Sequence, residues 1–114
     1  MKNLQDRTKK FAVDVIQLCV SLPDRPDFSV ISRQLLRSGS SVGANYRAAC
    51  HCHSKTAFIS KLSIVEEEAD ESLFWLELLE ELGCQNSDLA RLKDEANQLT
   101  AIVIASKKTA RSKL

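Results

Sequence analysis

Glycine and proline are scarce in this chain, with three and two among 114 residues. An all-β fold needs many tight turns, and these counts exclude one. Aromatic residues make up only 5% of the chain, so little ring surface is on offer for stacking on nucleobases. Long hydrophobic runs are missing. The longest wholly apolar stretch, Ala101 to Ala105, is far shorter than the roughly 20 residues that span a bilayer. Neither charge sign is in marked excess: the formal net charge is +1, which gives no overall pull toward nucleic acid or membrane. The start of the chain is charged (Lys2, Asp6, Arg7, Lys9, Lys10), and the apolar segment after it is broken by Asp14 and Gln17. That is a poor signal-peptide core, and the expected location is the cytoplasm.

Four cysteines are present, at positions 19, 50, 52 and 84. Cys50 and Cys52 are almost adjacent and the other two sit in helical surroundings, so no disulfide framework is expected and the thiols read as reduced. The length fits one domain, residues 1–114, able to bury a core without staples. Residues 107–114 read as a basic tail.

Helical periodicity fills the rest. Leu4, Thr8, Phe11, Val15, Leu18 and Leu22 follow alternating steps of four and three. The same rule yields Ile31, Leu35, Ser38, Val42, Asn45, Ala49 and Cys52; then Phe58, Leu62, Val65, Ala69, Ser72, Leu76 and Leu79; then Leu89, Leu92, Ala96, Leu99, Val103, Ser106 and Ala110. Each stripe is one buried helix face, and four of them make a bundle. Pro23 and Pro26 break the first helix from the second, for which Ser29 is the expected cap. Ser54 suits the start of the third helix, Gly83 its end, and Asn86 or Ser87 the start of the fourth. The pattern predicts an all-α, antiparallel up-down-up-down four-helix bundle. Apolar residues outside the stripes, Val13, Ile16, Val20, Ile64, Trp75 and Leu78 with Leu82, suggest a subunit interface.

The run Gly39-Ser40-Ser41-Val42-Gly43-Ala44-Asn45-Tyr46 stands out within the second helix. Each glycine weakens a helix by about 1 kcal/mol, and close approach of a neighbouring helix is the usual reason to keep one. Gly39, Gly43, Asn45 and Tyr46 are therefore assigned to helix packing and register. Asn45 falls on the inner seam, where an amide needs partners; Glu68, Glu71, Ser38, Ser41 and Ser72 are the candidates.

The stretch Leu35 to Ala49, including this run, resembles the signature of the 23S rRNA intervening-sequence proteins. A second matching block runs from Ser54 to Leu62 and on through Ile64-Val65-Glu66-Glu67-Glu68-Ala69-Asp70-Glu71-Ser72-Leu73-Phe74-Trp75-Leu76-Glu77-Leu78. The resemblance implies an antiparallel four-helix bundle and, as in characterised relatives, a ring-like homopentamer. The family is also similar to the accessory variability determinant of diversity-generating retroelements, a basic pentameric barrel that associates with a reverse transcriptase and nucleic acid. No catalysis is implied. The family usually carries an acid just after the Asn-Tyr-Arg triplet and basic residues beyond it. This chain has Ala48-Ala49 and then Cys50-His51-Cys52-His53.

Those four residues invite a zinc site, but on a helix only Cys50 and His53 share a face, and four converging ligands are needed. No metal or cofactor is expected. Neither histidine has a glutamate three residues before it, which excludes a carboxylate-bridged di-iron bundle. The two glycines lack the lysine and the preceding strand of a phosphate loop.

The basic residues are segregated. No acid lies between Phe28 and Val65, and none follows Glu95. Arg33, Arg37, Arg47, Lys55, Lys107, Lys108 and Arg111 are the expected nucleic-acid contacts, their effect multiplied if copies form a ring. Two functions stay open: an oligomeric, non-enzymatic scaffold that binds structured RNA or DNA or a nucleic-acid enzyme, and a protein–protein adaptor without nucleic acid. No motif supports an enzyme.

Overall fold

The computed structural model describes residues 3–113; Met1, Leu114 and the basic Lys2 lie outside them. Four helices follow one another: α1 (Leu4–Ser21), α2 (Pro26–Cys50), α3 (Lys55–Glu81) and α4 (Leu89–Arg111). No strand occurs among the described residues. α1 packs on α2, α2 on α3 and α3 on α4, and a thinner α1–α4 contact closes the bundle. α1 and α3 stand on opposite corners of the bundle. The expected up-down-up-down four-helix bundle is what forms.

Its core is the set of stripes. Phe11, Val15 and Leu18 of α1, Ile31, Leu35 and Val42 of α2, Leu62, Val65, Leu76 and Leu79 of α3, and Leu92, Leu99 and Val103 of α4 belong to one cluster, all nearly shut off from water. Burying side chains of this size stabilises by about 1.5–3 kcal/mol each, which is why the apolar periodicity locates the helices so directly. Small residues sit where helices come closest. A Cβ on Gly39 would lie 2.7 Å from Val15 Cγ1, and one on Gly43 would lie 3.1 Å from the Thr8 carbonyl oxygen. The glycine run is thus the α1–α2 contact.

The helix ends follow local chemistry. Asn3 Oδ1 accepts from the Asp6 amide at 2.8 Å, and Ser54 Oγ accepts from the Ala57 amide at 3.1 Å. Gly83 takes φ +86°, and the Cys84 amide donates to the Leu79 carbonyl beside it, a left-handed helix stop that favours glycine. Two expected starts move. α2 begins at Pro26, not after Ser29, because proline is well suited to the first helical position. α4 is preceded by Asp88, and Asn86 instead ties the turn before it, its Oδ1 accepting from the Asp88 amide at 2.8 Å. The expected tail is also corrected: α4 stays helical through Arg111, so Lys107, Lys108 and Arg111 are held on a helix.

Candidate nucleic-acid interface

The alternating direction of the helices brings the start of α1, the α2–α3 turn and the end of α4 to one end of the bundle. Lys55 Nζ donates to the Lys113 carbonyl at 3.1 Å, which joins the start of α3 to the end of α4. Lys9 and Arg47 line one cleft of about 350 Å³ between α1 and α2, over Ala12, Ser40 and Gly43, with Asp6 also on its wall. Exposed Lys108 and Arg111 stand on the last turns of α4. Among the described residues, no carboxylate pairs with Lys9, Arg47, Lys55, Lys108 or Arg111. The opposite end holds the acidic half of α3, with Glu77, Glu80 and Glu81. Lys93 Nζ bonds Glu80 there at 2.7 Å and is itself pushed up from its ordinary value by that hydrogen bond.

Of the seven cations assigned to nucleic acid, the fold brings together Arg47, Lys55, Lys108 and Arg111. Lys107 is at this end, but its side chain is only 13% exposed and its Nζ sits 2.9 Å from Glu66 Oε1. Arg37 is spent on α3: it donates to Glu68 Oε2 at 3.0 Å and also bonds Glu71. Arg33 lies at the other end, lining a cleft of about 460 Å³ with Cys19, Pro23 and Arg25. Sequence separation hides these differences, because the neutralising acids come from a different helix. Lys9 and Lys113 join the group, although they are not among the seven; the signal they carry in the sequence is only membership of basic terminal segments.

The packing residues need one correction. Asn45 is half-buried and turns to its own helix, its Nδ2 donating to the Ser41 carbonyl at 2.9 Å and to Ser41 Oγ at 2.7 Å. Glu68 and Glu71 are not its partners; Glu71 Oε2 accepts from Trp75 Nε1 at 3.0 Å instead. Tyr46 packs half-buried against the core, and burial with the neighbouring Cys50 thiol pushes its phenol up. All four cysteines are unpaired. Among the described residues, no three histidine, cysteine or acidic side chains converge in a way that could hold a metal ion.

The apolar residues assigned to an interface divide in the same way. Val13, Ile16, Val20 and Ile64 are exposed, Val20 to 81%. Trp75 and Leu78 are half-buried against the chain's own core, so they serve the monomer first. Phe74, 49% exposed and edge-on to Trp75, is an addition to that set; with Leu82 it continues the outer face of α3. No helix among the described residues is long and apolar enough to cross a membrane.

The sequence model of the 23S rRNA-intervening sequence proteins matches residues 3–105. The chain belongs to that family. The match extends over α1, α2 and α3 and into α4 of this family member, where the motif blocks reach only α2 and α3. A crystal structure of a protein of unknown function from the S23 ribosomal protein family of Bacteroides thetaiotaomicron is similar to it. The two are 33% identical, with a TM-score of 0.85 over 93% of this chain and 99% of that one. Among curated proteins nothing matches.

Proposed function

We propose that this family member is a non-enzymatic scaffold whose copies associate into a closed homo-oligomer and whose clustered basic ends bind the phosphates of structured RNA or DNA. The observation that carries the reading is the placing of Lys9, Arg47, Lys55, Lys108 and Arg111 at one end of the bundle, none of them in an ion pair with a described carboxylate and only Asp6 lining the Lys9–Arg47 cleft. Each phosphate contact releases counterions, so several contacts add, and a ring multiplies them.

Two features support association. The outer faces of α1 and α3 carry apolar residues and point away from one another across the bundle. Around Val13 on α1, Lys9 and Lys10 are balanced by Asp6 and Asp14, with Lys10 paired to Asp14 at 3.1 Å, whereas Glu67, Asp70, Glu77 and Glu81 flank Ile64, Phe74 and Leu82 on α3. A charge-balanced face and an acidic one are unlike surfaces, and unlike surfaces meet head-to-tail, an arrangement that makes a ring when the rotation between copies closes. The homopentamer that the family resemblance implies is a ring of this kind. Four unpaired cysteines are in keeping with a cytoplasmic role.

Light scattering tests the reading, with and without a short structured RNA, at low and at moderate salt. The expected result is a closed oligomer that gains RNA mass at low salt and loses it as salt rises. An oligomer that takes up no RNA would overturn the nucleic-acid half and favour a protein adaptor. A monomer would overturn the assembly half.

A further inference from the structure

A groove of about 530 Å³ lies between the start of α3 and the end of α4, lined by Phe58, Ile102, Ala105 and Ala110 together with Ser106 and Thr109, and with Lys55 and Lys113 at its rim. Its wall is mostly apolar although its surroundings are cationic. Phosphates alone would gain nothing from such a wall. Phe11 and Phe28 are sealed in the core and Phe74 stands on the acid-rich stretch of α3, so Phe58 is one of only two aromatic rings, with Tyr46, near the basic end. Lys55 and Lys113 touch one another across the groove mouth, and Lys108 and Arg111 continue the positive charge along α4. An apolar slot with an aromatic ring, bordered by amines, matches a nucleotide whose base is out of its helix: ring surface against ring surface, phosphate against ammonium. A duplex keeps its base faces stacked inside and presents only phosphates.

We propose that this groove takes an unpaired nucleobase against Phe58, with the adjoining phosphates on Lys55 and Lys113. The preferred ligand is then single-stranded or looped nucleic acid. The inference rests on the phosphate-binding reading of the basic end and narrows it to a ligand class.

The test uses a short oligoribonucleotide carrying 2-aminopurine, free or annealed to its complement, titrated with the full chain at low salt. The single strand is expected to bind on the order of tenfold tighter than the duplex, with a change in 2-aminopurine emission. Phe58→Leu keeps apolar bulk against the core and removes the ring, so single-strand affinity should fall to the duplex level. Ala105→Glu, at an exposed position away from the core, places a carboxylate in the groove and should do the same. Combined Lys108→Ala and Arg111→Ala changes should weaken both forms alike. Equal affinity for strand and duplex, or parental binding by Phe58→Leu and Ala105→Glu, would overturn the base site while leaving the phosphate reading intact. Binding of neither form would overturn both. Binding of an acidic amphipathic peptide, lost in Ala105→Glu and without response to either RNA, would reassign the groove to a protein partner.

Discussion

Ser38 on α2 and Ser72 on α3 face one another with hydroxyl oxygens 2.9 Å apart, both fully shut off from solvent. Ser72 Oγ also bonds the Glu68 carbonyl at 2.8 Å, whereas Ser38 has only Ser72 among the described side-chain bonds. The pair crosses the longest seam of the bundle, and the two partners are unequal. Ser72→Ala strands a buried hydroxyl and should cost about 1–3 kcal/mol; Ser38→Ala leaves Ser72 bonded and should cost about 1 kcal/mol. The double change should be no worse than Ser72→Ala alone. Urea unfolding of the three variants checks the order, and a double variant equal to the sum of the singles would refute the pairing.

Gly39 offers a second handle on packing. Its missing Cβ would press on Val15, which is itself fully enclosed. Overpacking costs about 1–3 kcal/mol, and the alanine returns about 1 kcal/mol of helix propensity. Gly39→Ala should therefore lower stability by about 1 kcal/mol and the melting point by about 4 °C. Adding Val15→Ala should recover part of the clash, so the pair must be less than additive in a thermal melt.

Asp14 binds α1 to α4. Its side chain, 10% exposed, accepts from Arg91 at 3.0 Å and from Lys10 at 3.1 Å. Burial alone would push the carboxyl up, but the hydrogen bonds from Arg91 and then Lys10 outweigh it and hold it below the ordinary value. A depressed carboxylate contributes stability above its unfolded value, about 3.9, and loses it as pH falls through the lower folded one. Asp14→Asn should be less stable than the parent near pH 7, and the gap should close below about pH 4. Urea midpoints across that range decide the matter; a gap that widens in acid contradicts the assignment.

Assembly can be probed on α1 without disturbing the core. Val13 and Val20 are exposed in the single chain, so Val13→Asp with Val20→Asp should leave helicity unchanged and unfolding cooperative, with any drop in melting point following from lost assembly. The mass in solution should drop, because carboxylates would then meet the acid-flanked face of α3. An unchanged mass would place the contact elsewhere.

The four stripes, the breaks at Pro23 and Gly83 and the glycine contact are all legible in the amino-acid sequence. Each depends on a local rule: apolar side chains three and four apart share one helix face, and that face must be buried. Even buried Thr8, Ser38 and Ser72 stand in their stripes. The oxygen that each hydroxyl meets is not legible there, because it comes from another segment.

What the sequence by itself determined is the bundle, the register of every stripe and the family. Only tertiary structure decided which charges remain free. Arg37 and Arg47 look alike along α2, yet Arg37 faces Glu68 and Glu71 across the α2–α3 seam while Arg47 opens onto a cleft with Lys9. Lys107 and Lys108 are neighbours, but about 100° of helix rotation turns one onto Glu66 and leaves the other exposed. Burial follows from a residue's own periodicity. Ion pairing depends on what the adjacent helix presents within a few ångströms, and a linear pattern carries no measure of that distance.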